Sequence, residues 1–600
     1  MDNFNERLSN FLDPINSVIW HNYVLYIVLG VGVLFTLWSG ICQFRSLTHG
    51  VSVTRGRYDN PDDPGAINHF QALSAALSAT VGLGNIAGVG VAVALGGPGA
   101  VFWMWMVGIF GMAIKTTEVT LSMLYRNTDD PDNPHGGPMF VAAKAFKERG
   151  LPGVGKFIGG LFVVTLLIST ITGGNMFQSW SVGEITENYF HIPSIACGIL
   201  LAILVGAVII GGIKRIGAVA GRIVPFMCVL YLIAAVIVLI MNVGEIPAML
   251  KLIVVQAFSP SDAQGAFLGG TAGYAILWGM KRALFSSEAG QGSSPIAHSA
   301  AKTNEPVREA VVAGLEPFID TLVVCTLTAM VILTTGAYNR GPESHFENSP
   351  SVRIAAVDLD SDGIQDTNHS DVLLWTIESS IIPPRDQEAR NTSGPWTGGE
   401  DVFVVVHAEA DSDTGLDLHR MGGEIQIDED GDAVAQWKTN FASATRPTLR
   451  DDDGRIYVEY PGPSLTGHAF DRAIPGLGKY LVTLAAWLFA LSTMISWSYY
   501  GEQGIVFLFG DKAVFAYKII YCIMIVVAAA GFIKTDKQLD DLTALGTGVM
   551  LWANIPIMLI FGAVAMRAYH AYIGKLKRGE FHPHDAPSIT DVMGGKDVRK

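Results

Sequence analysis

Between Val81 and Gly90 the chain reads VGLGNIAGVG, with glycines 82, 84, 88 and 90 set around a single asparagine, Asn85. The flanks, ALSAT before and VAVALGG after, are apolar enough to belong to one membrane helix. Glycine costs roughly 1 kcal/mol relative to alanine in a helix interior, so this span is weakened at its centre. An open backbone at membrane depth persists only where it lines a cavity or is buried in protein. Freed N–H groups of Gly82, Gly84 and Asn85, at the start of a second half-helix, suit an anion. Freed carbonyls, with the side-chain oxygens of Thr80 and Asn85, suit a hard cation. The chemistry is the binding of an anionic group and a hard cation. Close helix packing on small-residue faces explains the spacing of Gly84 and Gly88 but not Asn85 among them.

A second interrupted span, GGTAGYAILWGMKRALFSSEAGQGSSPIAHSA, runs from Gly269 to Ala300. Gly279, then Lys281 and Arg282, then Gly290 and Gly292 interrupt it. Ionisable residues inside spans are functional candidates. Arg282, Glu288, Glu316 and Asp320 fall in adjacent spans and form either a charged gate or a permanent ion-pair network. Lys115 and Glu118, three apart, pair with each other. His298 is expected to be a packing residue. Elsewhere, DLDSDGIQD places Asp358, Asp360, Asp362 and Asp366 at positions 1, 3, 5 and 9 of a Ca²⁺-type loop with Gly363 at 6. His369 at position 12 departs from that pattern, and acidic turns of a β domain are the alternative.

The elements that must position these residues are membrane helices. Of the 600 residues 50% are hydrophobic and 16% charged, against about 25% charged in soluble domains. Eleven apolar spans are expected, near 23–41, 68–95, 99–124, 157–183, 193–213, 218–242, 267–300, 308–335, 477–500, 514–533 and 539–566. Basic residues follow alternate spans: Arg45, Arg55 and Arg57; Arg126, Lys144, Lys147 and Arg149; Lys214 and Arg215; Lys302 and Arg308; Arg567, Lys575, Lys577 and Arg578. The positive-inside rule then puts the N-terminus outside and the C-terminus in the cytoplasm. The net charge of −15 is local: residues 341–475 carry 26 acids and 9 bases. Within that block VRIAAVDLD, DVLLWTIESSI, DVFVVVHAEAD, GEIQIDEDG and GRIYVEYPG read as strands of a small all-β domain, outside the membrane and folding independently. The five cysteines lie in apolar spans, with neither disulfide nor metal spacing, and no signal peptide is expected. Setting the first span aside leaves five plus five, and each half begins with an interrupted helix running in the opposite direction. That arrangement points to a transporter site at the midplane.

The segments SATVGLGNIAGV, GGPGAVFWMW, GGNMFQ, RALFSSEAGQGSSPIAHSAA, EPFIDTLVVCTLTAMVIL and LFALSTMISWSYYGE closely resemble the alanine/glycine:cation symporters, sodium-coupled amino-acid carriers. The resemblance covers nearly the whole chain outside the acidic block and the tails. It implies an all-α polytopic fold of eleven transmembrane helices: a LeuT-type 5+5 inverted repeat plus one N-terminal helix. By resemblance, Gly82, Gly84 and Asn85 receive the substrate carboxylate, and Thr80 and Asn85 supply oxygens to an adjacent Na⁺. Val81, Ser492 and Thr493 form a second Na⁺ site. Gln178, Thr493, Met494 and Trp497 line the pocket, and Trp278 and Gly279 sit at the second break and close it. An interface anchor is the plainer role for Trp497. The family usually has threonine where this chain has Leu83, which removes a hydroxyl from the site.

The expected organisation is an N-terminal helix (1–45), a first core part (64–338), the acidic β-rich insert (339–475), a second core part (476–572) and a cytoplasmic tail (573–600). The expected function is inward symport of a small neutral amino acid, alanine or glycine, with Na⁺ by alternating access. The carrier is expected to be a monomer in a bacterial inner membrane, surrounded by lipid, with no nucleic-acid partner and no enzymatic activity. Ca²⁺ in the insert is the one further ion expected. Proton coupling is a rival, although no carboxylate lies between Thr80 and Gly90. An amino-acid sensor using the outer domain would need a larger cytoplasmic tail. A tethered enzyme using His407 and His419 lacks a nucleophile motif.

Overall fold

A computed structural model describes residues 2–346, 350–355, 373–378, 380–385, 395–411, 415–439, 441–450, 454–460, 463–531 and 536–595. Among these, eight helices are long and apolar enough to cross a membrane, or nine when His69–Thr80 and Leu83–Gly96 count as one bent span. The other two expected spans are helical but short. Ser194–Ile209 has 16 residues. Ala272–Ser287 also has 16, and after a break the chain resumes as Ser294–His298. Roughly 20 residues are needed to cross a bilayer, so the expectation of eleven full-length spans is not met by length.

The first broken span begins at Asn68, whose side chain accepts the Gln71 N–H in a reciprocal capping box. Both side-chain amides also reach the tail: Asn68 Nδ2 donates to Val592 O (2.8 Å) and Gln71 Nε2 to Met593 O (3.4 Å). All of His69–Thr80 except Phe70 is buried, so protein surrounds this half-helix, as an open backbone at its end requires. The two halves meet at 63°.

The second break is not at Gly279. Helix runs unbroken from Ala272 to Ser287, and the chain turns at Glu288 (φ 51°), Gly290 (φ 86°) and Gly292 (φ 84°). These left-handed residues end the helix where Lys281 and Arg282 do not. Gly279 is a packing position: a Cβ there would lie 2.2 Å from Ala100 O on helix Gly99–Tyr125. Wide-turn helical segments occur at Thr172–Met176 and Phe318–Cys325, and such segments are frequent at functional sites.

Among the described residues the insert has ten strands: β1 Ser344–His345, β2 Val352–Ile354, β3 Leu373–Ile377, β4 Ser380–Ile381, β5 Asp401–His407, β6 Leu418–Ile427, β7 Ala433–Trp437, β8 Phe441–Ser443, β9 Thr448–Leu449 and β10 Arg455–Val458. All pair antiparallel. One sheet has the order β1-β10-β5-β6-β7-β4, with β9 on β5, and the other is β2-β3-β8. Trp375, Trp396 and Trp437 pack with Val402, Val404 and Val406 in the insert's own core.

One expectation for the block is corrected: Pro463–Ala473 is a helix, so the block is not all β as far as residue 475. The sheet also touches the membrane body. Alternate residues of β5 face opposite sides, and its run VFVVV is apolar on both. Val402, Val404 and Val406 face the sheet core. Phe403 and Val405 pack with Tyr457 against Ala266 and Leu268, in the loop ahead of Ala272–Ser287. A strand solvated on one face would alternate; this one does not because the membrane body covers its other face.

Candidate functional site

The break between Thr80 and Ala87 is held by Asn85, which is 0% exposed. Asn85 Oδ1 accepts the Gly82 N–H (2.8 Å). Asn85 Nδ2 donates to Ser286 Oγ (3.1 Å) and to Asp320 Oδ1. Asp320 Oδ2 accepts from Ser286 Oγ (2.8 Å) and Thr321 Oγ1 (2.9 Å). Three elements thus converge: the first break, the last turn before the second break, and the wide-turn segment Phe318–Cys325. The result is a buried carboxylate held by the Asn85 amide and the Ser286 and Thr321 hydroxyls, and its own oxygens with the two hydroxyls suit a small cation.

The breaks explain why these groups can meet. A helix end leaves its last carbonyls without intrahelical partners. At the end of His69–Thr80 the Ser78 carbonyl accepts from Thr493 Oγ1 (3.2 Å) and, at 3.5 Å, from Ser492 Oγ. Ser492 Oγ also donates to Phe489 O (2.9 Å), and Ser78 Oγ donates to Ser492 O (2.6 Å). A second group of oxygens therefore lies between helix His69–Thr80 and helix Leu477–Phe509, with Val81 (φ −78°, ψ 91°) at the helix end. A Cβ at Gly82 would lie 3.0 Å from Thr493 Oγ1, so glycine there lets the backbone approach the hydroxyl.

Several expected residues stand elsewhere. The Thr80 hydroxyl donates back to Ala76 O (3.3 Å), within its own helix. The N–H groups of Gly82 and Asn85 are occupied, by Asn85 Oδ1 and by Gly82 O (3.1 Å), rather than open to an anion. Gly84 is the open point: a Cβ there would meet nothing within 4 Å. Met494 and Trp497 belong to one buried apolar cluster with Ala79 and Leu83. Trp497 is 6% exposed and packs on Gly174, where a Cβ would lie 2.4 Å from its Cγ, so it is not an interface anchor. Gln178 Nε2 donates to Gly173 O (3.1 Å), and its buried Oε1 has no hydrogen-bond partner among the described residues. No hydrogen bond joins it to the break.

Trp278 lies beside Gly96 at the far end of the second half-helix, under the guanidinium of Arg282 at 5.4 Å. Arg282 in turn faces Gly88, where a Cβ would be 3.6 Å from its Cδ. The four candidate gate residues have separate surroundings. Asp320 belongs to Asn85 and Ser286. Glu316 is paired with Lys115 (3.3 Å) and His298 (2.5 Å), and its Oε1 accepts from Ser294 Oγ (2.7 Å). Glu288 accepts from Ser293 Oγ. His298 is not a packing residue: Nδ1 is 2.5 Å from Glu309 and Nε2 2.5 Å from Glu316. Lys115 also lies 3.5 Å from Glu118, as its spacing implies. Asp358, Asp360, Asp362 and Asp366 lie outside the described residues, and no group of three or more His, Cys, Asp or Glu among the described residues could hold a metal ion.

Ser286, Thr321 and the carbonyls of Ser78 and Phe489 were not foreseen as parts of the site. Ser78 carried a usable signal, since a carbonyl one turn before a helix break has no partner in its own helix. Sequence marks Asp320 only as a gate candidate. Its partnership with Asn85, 235 positions away, has no local signature.

A profile of the sodium:alanine symporter family matches residues 5–358 and 452–586. The chain is 43% identical over 329 residues to the sodium/alanine symporter AgcS of Methanococcus maripaludis, covering 54% of this chain and 71% of that one. It is 30% identical over 574 residues to the putative sodium/proton-dependent alanine carrier protein YrbD of Bacillus subtilis, covering 95% of this chain and 94% of that one. It is 36% identical over 333 residues to the probable sodium/glutamine symporter GlnT of Bacillus subtilis, covering 55% of this chain and 67% of that one. The unmatched residues 359–451 fall inside the acidic block.

Proposed function

The chain belongs to the sodium:alanine symporter family, and from that premise we propose that it carries a small neutral amino acid, alanine or glycine, into the cell together with Na⁺. That it is an amino-acid:cation symporter and not an enzyme follows from the family; the ion, the substrate and the residues that hold them are our reading. The observation that carries it is the buried meeting of Asn85, Ser286 and Asp320 at the first break.

A carboxylate in a membrane-buried site is costly without a cation. The Asp320 carboxylate, with the oxygens of Asn85 and Ser286, would hold one Na⁺. The carbonyls of Ser78 and Phe489 and the hydroxyls of Ser492 and Thr493 would hold a second. The amino-acid carboxylate would lie against the opening at Gly84, near the N-terminal end of Ala87–Gly96, where the helix dipole favours negative charge. Met494 and Trp497 restrict the side-chain volume nearby, which favours alanine or glycine. Bending at 81–86 and at 288–293 gives two hinges on which the site opens alternately to each side. In this reading the N-terminus and the insert are outside and the C-terminus is cytoplasmic.

The experiment is uptake of radiolabelled alanine into proteoliposomes under an inward Na⁺ gradient. Uptake should fall at least tenfold when K⁺ or choline replaces Na⁺. Equal uptake in all three removes Na⁺ coupling. Uptake driven by a pH gradient alone supports a second reading, proton coupling. Asp320 gives that reading a specific basis, because it brings to the break the carboxylate that the local sequence lacks.

A further inference from the structure

We propose that the inserted β domain is an outer latch on the transport site, which must release the loop at Gly265–Ala266 before the site can open outward. This rests on the reading of the chain as an alternating-access carrier with the insert outside. Two grips carry it, one near each broken helix.

The first grip is on the loop ahead of Ala272–Ser287. Arg450 Nη2 donates to Gly265 O (3.0 Å) and Arg420 Nη2 to Ala266 O (3.0 Å). Glu459 holds Arg420 by an ion pair at 2.9 Å. Phe403 and Tyr457, 1% and 0% exposed, cover Ala266, itself 0% exposed. Gly265 takes φ 57°, and a Cβ there would lie 2.2 Å from Arg340 O, so the loop is pressed against the chain where the block begins. Thr271 then caps helix Ala272–Ser287, whose last turn carries Ser286, a partner of Asn85.

The second grip is on the first break itself. Strand β10 leads within a few residues into helix Pro463–Ala473. There Thr466, 0% exposed, donates to the Ile86 carbonyl at 3.0 Å. Side-chain contacts tie β10 to this helix. Arg340 donates to Val458 O and to Ala337 O (3.3 Å), and lies over the Tyr460 ring at 4.7 Å. Tyr460 stacks on His468 at 4.3 Å. Lifting the helix off Ile86 therefore pulls on β10, and β10 is bonded to β5, which covers Ala266. The helix cannot leave the break while the sheet keeps its hold on the loop.

The test uses the full chain in proteoliposomes, with Cys42, Cys197, Cys228, Cys325 and Cys522 replaced by alanine. Into this background go Gly415→Cys, on the insert, and Thr271→Cys, on the helix cap. A Cβ at position 415 would lie 4.0 Å from Thr271 Cγ2, within reach of a disulfide after small adjustment. Oxidation, confirmed by loss of free thiols, should cut Na⁺-driven alanine uptake at least tenfold, and dithiothreitol should restore it. A formed disulfide with uptake within twofold of the reduced protein overturns the latch. A second arm places Gly84→Cys at the break, where the side chain meets open space. Arg420→Ala with Arg450→Ala should speed its labelling from outside by an impermeant maleimide at least fivefold; an unchanged rate also overturns the latch. Absence of uptake in the reduced protein would count against the carrier reading instead, and the labelling arm still reads the latch.

Discussion

Replacing Asn85 with alanine separates a role in ion binding from a role in folding. The side chain makes four bonds: it accepts from Gly82 N–H at 2.8 Å, and donates to Ser286 Oγ at 3.1 Å, to Cys325 Sγ at 3.3 Å and to Asp320. A neutral hydrogen bond contributes about 1 kcal/mol net and one to a charged group about 1.5–3. A buried N–H left without a partner costs about 1–3 kcal/mol. Asn85→Ala should therefore destabilise the fold by roughly 3–6 kcal/mol, a large part of the 5–15 typical of a domain. Loss of the amide that positions the Asp320 carboxylate and the Ser286 hydroxyl, at about 1.5–3 kcal/mol, should raise the Na⁺ concentration for half-maximal uptake roughly 10- to 100-fold. The control is Leu83→Ala. Leu83 is 1% exposed, so truncation should cost a similar 2–5 kcal/mol but removes no oxygen. Thermal melting and alanine uptake across a Na⁺ series in proteoliposomes read the two effects separately. Leu83→Ala should keep its Na⁺ dependence within threefold. A normal Na⁺ requirement in Asn85→Ala, or an equal rise in both variants, refutes the assignment.

Asp320→Asn keeps the size of the side chain but removes the charge, and should raise the Na⁺ requirement at least tenfold; unchanged Na⁺ dependence would take Asp320 out of the cation site. Thr493→Val, nearly isosteric, removes the hydroxyl that donates to Ser78 O and should raise the half-saturating Na⁺ several-fold, while melting shifts little. The pH prediction concerns His468, outside the spans. Burial, with Arg340, Arg472 and Arg385 nearby, holds its pKa well below the usual value of 6.5. The unfolded chain therefore takes up this proton more readily than the folded one. The stability it contributes is fully present above about pH 6.5 and is lost as pH falls below that value. Melting of the purified protein should drop between pH 7 and pH 5, and by less in His468→Phe; equal drops in both would show that other groups set the acid sensitivity.

Local pattern determined a good deal of this protein. Apolar length alone placed helices near each expected span, because lipid accepts only backbone that is bonded to itself. Glycines beside Asn85 placed the first break, since the weakness lies in the residues themselves. Short β-branched runs between Asp and Gly clusters placed β2, β3, β5, β6 and β10 in the insert. Of the interruptions in the second span, Gly290 and Gly292 mark the break and Trp278–Gly279, the place the resemblance implies, does not. Charged side chains do not end a helix, whereas the left-handed turn at Glu288, Gly290 and Gly292 does. Tertiary structure alone decided which carboxylate stands at Asn85, what flanks His298, and what Thr466 and Arg420 hold. These partners are far apart in the chain, and sequence periodicity carries only neighbours on one element. The VFVVV run of β5 lies between the two cases. Its lack of alternation says that both faces are covered, but only the packed chain shows that the membrane body covers one of them.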